Sequence, residues 1–286
     1  MNTSLASHGA HPPAAVIAAL GADHHPDHRA LKSLPAVTGG AWLLRTRRGP
    51  DLVLAPADAV QTTAAHAAAQ CDVGPRVVDY VDGWLVCEWF AGAHLTPLEL
   101  RRPDVLLDLA ALLARWHSCQ LTLPVLPMSE SRHQYVAAAG GRVTPALANA
   151  IEWADQVEGD LQAASERWVP AHLDVVANVL STDRGLRLID FEYARPAPPA
   201  RELGQLIWDA ELDQRSAELL VTAYLGALGE PRMRKAHQVA AAATWCALSG
   251  VTWTTWALAR PGKDMQRYAR RSWERLVSHW ARPPGL

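Results

Sequence analysis

Ala171-His172-Leu173-Asp174-Val175-Val176-Ala177-Asn178-Val179-Leu180, then a turn, then Leu186-Arg187-Leu188-Ile189-Asp190-Phe191-Glu192 decide how this chain is read. A His-x-Asp loop with an Asn just downstream leads into a short strand. A hairpin turn and a second strand follow, and that strand ends in an Asp. Asp174, Asn178 and Asp190 therefore sit at strand ends or on the loop between them, where their oxygens can converge on one point.

The rest of the composition narrows the setting. A chain of 286 residues, 49% of them apolar, can bury a substantial core in one or two domains. A net charge of −2 argues against a nucleic-acid partner. Lysine occurs only at Lys32, Lys235 and Lys263. Cys71, Cys87, Cys119 and Cys246 are widely spaced, which predicts reduced thiols rather than a zinc site or a disulfide framework. No basic stretch followed by an apolar run opens the chain, so no signal peptide is expected and a cytoplasmic location is. Val239 to Ala259 lacks charge over about the length of a membrane span. Its residues are mostly Ala and Thr, which predicts a buried helix and no membrane contact.

Residues 1–33 read as a tail with a short helix from Pro13 to Leu20 and a solvated loop at His24-His25-Pro26-Asp27-His28. Residues 34–92 read as a sheet lobe. Strands are expected over Ala41–Thr46, Leu52–Ala55, Arg76–Tyr80 and Trp84–Trp89, with an Ala-rich helix from Asp58 to Cys71 between the pairs. Residues 93–286 read as mainly helical. Asp104–His117 is amphipathic, and further helices are predicted over Ser131–Ala139, Pro145–Arg167, Leu203–Ala210, Gln214–Leu228, Pro231–Ala259 and Lys263–Ala281.

The chain resembles the aminoglycoside phosphotransferase and choline kinase group, a branch of the protein-kinase-like fold. The resemblance is carried by His172-Leu173-Asp174 with Asn178-Val179-Leu180, and by Leu188-Ile189-Asp190-Phe191-Glu192-Tyr193-Ala194. Val73-Gly74-Pro75-Arg76-Val77, Leu85 to Gly92 and Leu109 to His117 support it in the same order. It implies an α+β architecture: a small N-terminal antiparallel-sheet lobe with one helix, and a larger, mainly helical C-terminal lobe. It also implies a phosphotransferase that moves the terminal phosphoryl group of ATP or GTP, with Mg2+, to a hydroxyl of a small-molecule acceptor. Asp174 would be the catalytic carboxylate, and Asn178 and Asp190 the metal ligands. Glu88, Trp89 and Phe90 would form the hinge that meets the base, with Gly39 and Gly40 at the phosphates. His172 and Glu202 would support the loop.

The sheet lobe departs from that pattern. Ala55 stands where a Lys or Arg on the third strand would grip phosphates, and Thr63 or Gln61 stands where its Glu partner belongs. Arg45 is the candidate replacement cation. Asp174 and Asn178 are one residue closer than in the group's Asp-x-x-x-x-Asn. These losses leave a second reading, a binding protein of the same fold without turnover. For a cationic acceptor, Trp245, Trp253 and Trp256 are candidate lining residues, with Asp209, Glu211 and Asp213 near them in sequence. Arg260, Lys263, Arg267, Arg270, Arg271 and Arg275 read as a solvated helix face.

Overall fold

The structure, a computed structural model, describes residues 11–20, 26–34, 40–46, 49–125, 128–230 and 235–279. A five-stranded antiparallel sheet opens it, with spatial order β1-β2-β3-β5-β4. Its strands are β1 Pro26–Leu34, β2 Ala41–Thr46, β3 Leu52–Pro56, β4 Val77–Val81 and β5 Trp84–Glu88. Helix α1, Ala14–Ala19, puts Val16 and Ile17 on one face of the sheet against Leu44, Leu52, Leu54 and Val86. Helix α2, Ala59–Gln70, is capped by Asp58, whose side chain accepts from the Gln61 N–H. The small Ala64, Ala65, Ala67 and Ala68 let α2 lie close to the helical part, within the same core as Leu109, Leu113 and Leu188.

The remainder carries α3 Pro103–His117, α4 Met128–Ala139, α5 Pro145–Ala163, α7 Pro199–Asp209, α8 Gln214–Ala227, α9 Lys235–Leu258 and α10 Lys263–His279. Between α5 and α7 lie β7 Val169–Ala171, the single turn α6 Val175–Asn178, β8 Val179–Thr182, β9 Gly185–Leu188 and β10 Arg195–Ala197. Strand β6, Gly92–His94, joins the hairpin β8–β9 to make the order β6-β8-β9. A Cβ at Gly92 would meet the Ser181 carbonyl at 2.7 Å, which explains the glycine at this crossing.

Four sequence expectations need correction. The tail is structured earlier than predicted: β1 starts at Pro26 and pairs with β2, so residues assigned to 1–33 extend the sheet. The pattern hid this because Pro, Asp and His open the strand and its neighbour supplies the pairing. His24 and His25 lie outside the described residues. The thiols of Cys71 and Cys119 are joined in a disulfide, with their Cα atoms 6.3 Å apart, because the ends of α2 and α3 meet there. Helix α7 starts at Pro199 rather than Leu203, since Pro fits the first helical turn, where its missing N–H costs nothing. Arg260 and Arg275 leave the solvated face: their guanidiniums lie 3.9 Å and 4.1 Å from the ring centres of Trp256 and Trp208.

Helix α9 is the buried centre of the helical part, as its uncharged sequence predicts. No helix among the described residues is long and apolar enough to cross a membrane. Gly204 of α7 faces α9 so closely that an added Cβ would sit 2.5 Å from the Ala242 carbonyl oxygen and 2.6 Å from Trp245 Cβ. Gly204→Ala should therefore lower stability by about 1–3 kcal/mol, read as a lower midpoint in denaturant titration at unchanged slope. An unchanged midpoint would mean that α7 and α9 do not cross at this residue.

Candidate active site

The loop from β7 to α6 is held from behind. Glu202 of α7 is 1% exposed, and its Oε1 accepts from the N–H groups of His172 at 2.5 Å and Leu173 at 2.7 Å. Its Oε2 lies 2.5 Å from Nε2 of His117, and Nδ1 of His117 lies 2.8 Å from the Tyr224 hydroxyl. Burial by itself raises a carboxyl pKa. Here the His117 hydrogen bond, the nearby histidines and the Leu173 N–H outweigh it and hold Glu202 below its usual range. Leu173 has φ 63°, a left-handed conformation unfavourable for a residue with a branched side chain. Glu202 from one side, and the Gln205 side chain donating to the Leu173 carbonyl from the other, keep it there.

His172 is fully buried and links the two halves of the site. Its Nδ1 accepts from the Asp174 N–H at 3.3 Å, so the ring proton sits on Nε2 and donates to the Ile189 carbonyl at 2.8 Å. Burial lowers its pKa, in keeping with a neutral ring. The next residue, Asp190, has φ 58°, which turns its carboxylate out of β9. Thus one histidine fixes the approach of both predicted aspartates.

Asn178 comes out closer to Asp174 than the usual spacing would allow. The loop winds into the single turn α6, and the Asn178 Nδ2 donates to the Asp174 backbone carbonyl at 3.0 Å and to its Oδ2 at 2.9 Å. The shorter spacing thus puts the two side chains on one helical turn. It commits the amide nitrogen to Asp174 and leaves the amide oxygen to face elsewhere. The Asp174 pKa is pushed up to about 7, by burial first and then by the negative charges of Asp190 and Glu192, with Asn178 opposing. Burial also raises Asp190. Two such carboxylates, with an amide oxygen on the same loop left without a partner by Asp174, suit a hard cation that keeps waters and takes its remaining ligands from phosphates. Among the described residues no group of three or more His, Cys, Asp or Glu side chains is placed to hold a metal ion by itself.

The sheet side of the cleft is less as predicted. Arg45 does not reach toward the phosphate loop: it is exposed and its Nη1 pairs with Asp51 across the β2–β3 hairpin. Gly39 lies outside the described residues, and Gly40 immediately precedes β2. Of the predicted hinge, the Glu88 N–H donates to the Arg76 carbonyl at 2.9 Å and the Trp89 N–H to Asp51 at 2.7 Å. Both donors are therefore engaged within the sheet, and the Glu88 carboxylate pairs with Arg76 at 2.5 Å. Phe90 is the remaining hinge candidate. Ala55 pairs with Leu85 and carries no charge. In place of the lost Lys–Glu pair, Gln61 of α2 crosses the cleft, with Nε2 3.3 Å from Asp190 Oδ1. Its position was marked in the sequence, but its partner was not.

Near the loop, Trp253 meets Tyr193 at 6.4 Å between ring centres, edge to face. Trp245 is core, 1% exposed. Of the acids, Asp213 caps α8 and Glu211 pairs with Arg101. Asp209 is half-buried, and desolvation and then the charge of Asp174 raise its pKa well above the ordinary value.

The model of the phosphotransferase enzyme family (APH) matches residues 7–236 of this sequence. The chain belongs to that family. Thiamine kinase of Salmonella typhimurium (strain LT2) is 27% identical to it over 237 residues, which cover 82% of each chain. The fold is also that of a choline/ethanolamine kinase family protein from Mesorhizobium loti, with TM-score 0.73 and 23% identity over 89% of each chain. An amicoumacin kinase in complex with AMP-PNP, Ca2+ and Ami superposes with TM-score 0.71 over 94% of each chain, at 10% identity. The family is one of phosphotransferase enzymes, and the similar Salmonella protein is named a thiamine kinase, so the departures in the sheet lobe occur within an enzyme family.

Two stability outcomes follow from this geometry. Glu202→Ala should cost about 3–5 kcal/mol, because it strands two N–H groups and a buried histidine; Glu202→Gln should cost less. The raised pKa of Asp174 favours the folded chain while the carboxyl is protonated. That contribution is lost as pH rises from the ordinary 3.8 through about 7. In metal-free buffer Asp174→Asn should thus gain roughly 1–3 kcal/mol over wild type above that window and nothing below it. Parallel melting curves across the window would contradict the assignment.

Proposed function

We propose that this phosphotransferase passes the terminal phosphoryl group of ATP or GTP to a hydroxyl of a small-molecule acceptor, and that the reaction takes place at Asp174. The observation that carries the reading is the joint fixing of Asp174 and Asp190 by His172, one through its Nδ1 and the other through the neighbouring Ile189 carbonyl. In that frame Asp174 orients the acceptor hydroxyl and takes its proton. A raised pKa suits a base that must hold a proton briefly near neutral pH. Asp190 and the amide oxygen of Asn178 hold a magnesium ion with the nucleotide. Bound there, the ion would neutralise charge on the phosphates. Phe90 meets the base, and Gly40 lies at the phosphates. His172 and Glu202 act by positioning. The similar proteins are named as kinases, so the reading as a binding protein without turnover is set aside.

Calorimetry with ATP, with and without magnesium, tests this directly. Wild type should bind in a magnesium-dependent manner, and Asp190→Ala should lose that binding. Absence of binding at millimolar nucleotide would sink the proposal. Asp174→Ala should keep nucleotide affinity while lowering transfer by about 10²–10⁴-fold, followed as product mass in an acceptor screen that includes thiamine and choline.

A further inference from the structure

Two arginines are buried beside the catalytic loop, and they differ sharply. Arg132 of α4 is satisfied: its guanidinium bonds Asp155 at 2.5 Å, Glu158 at 2.6 Å and the Thr252 hydroxyl at 3.2 Å. Arg201 of α7 is 6% exposed, and its side chain makes no hydrogen bond or ion pair among the described residues. Its Nε is fully enclosed without a partner, and the Trp245 ring, 5.7 Å from its guanidinium carbon, is a weak substitute. The nearest acids are already engaged. Glu158 accepts from Arg132 and from the Met128 N–H, while Glu202 accepts from the catalytic loop and His117. A buried charge without a partner is costly. Burial accordingly pulls the Arg201 pKa down to about 10.

Arg201 lines a cavity of about 70 Å³ together with Tyr135, Leu173, Tyr193, Arg195 and Trp253. Leu173 precedes Asp174 in the loop, and Tyr193 of the cavity wall is close enough to feel the charge of Asp174. The half-buried Arg195 side chain bonds, among the described residues, only the Ala194 carbonyl. The aromatic faces that would suit a cation are partly taken: Arg260 lies over Trp256 at 3.9 Å and over Tyr135 at 5.7 Å. The residues lining the cavity include two arginines and no carboxylate, which favours a negative group there.

We propose that this cavity is the acceptor's anion subsite, in which Arg201, assisted by Arg195, receives a carboxylate or phosphate group of the alcohol to be phosphorylated. This deepens the phosphotransferase reading and rests on it for the role of the cavity. The class of acceptor it specifies is a small hydroxylated anion, with its hydroxyl directed to Asp174.

The test is thermal unfolding and calorimetry of the full chain with glycerate, glycerol 3-phosphate and choline at constant ionic strength. Glycerate and glycerol 3-phosphate should stabilise wild type and choline should not; preference between the two anions tells carboxylate from phosphate. Arg201→Met should melt higher than wild type without ligand, because an unpaired buried charge is removed, and should bind the anions about tenfold or more weakly. Arg195→Gln, at a half-buried position, should weaken the same anions and serves if Arg201→Met does not fold. Equal anion binding in wild type and both variants, no anion binding at all, or tighter binding of choline would overturn the proposal. Magnesium-dependent nucleotide binding, measured on the same samples, reports separately on the phosphotransferase reading.

Discussion

A single buried carboxylate holds the His172–Asp174 loop of this protein in shape. Glu202 collects two consecutive N–H groups from the loop and a histidine from a distant helix, which leaves its charge balanced by hydrogen bonds although it is removed from water. That arrangement allows Leu173 to keep a left-handed backbone conformation and His172 to point inward. The histidine then sets the position of both aspartates. Removing water from such a network makes each bond stronger and each missing bond more costly. The functional loop is therefore as well supported as the core around it.

The sheet lobe solves its part differently from the pattern its family resemblance implies. With no basic residue at Ala55, a Glu on α2 would be a buried charge without a partner, and the chain has Gln61 there instead. A neutral amide can face Asp190 without adding charge to a cleft already crowded with carboxylates. Arg45, free of the cleft, closes the β2–β3 hairpin with Asp51. The helical lobe adds the opposite imbalance. There the Arg201 Nε is enclosed without a partner, and the Arg195 side chain bonds the Ala194 carbonyl.

Much of this was legible in the sequence. Alternating and helical periodicities located most strands and helices, since they record which face meets the core. His172, Asp174 and Asp190 announced themselves through short-range spacing. Other features depended on partners far apart in the chain. The pairing that makes Pro26–Leu34 a strand comes from β2, and the meeting of Cys71 with Cys119 comes from the ends of two helices. Glu202 was marked as loop support, but its link through His117 to Tyr224 spans residues that no local pattern connects.

The sequence by itself determined the family, the order of the two lobes and the identity of the acidic residues at the centre, because these follow from local spacing and periodicity. Tertiary structure decided what those residues experience. It turned a loop one residue short into a helical turn that places Asn178 against Asp174, engaged the Glu88 and Trp89 N–H groups, and left the Arg201 Nε buried with nothing to bond. Burial and the choice of partner depend on surfaces brought together by folding, and these set both charge state and affinity.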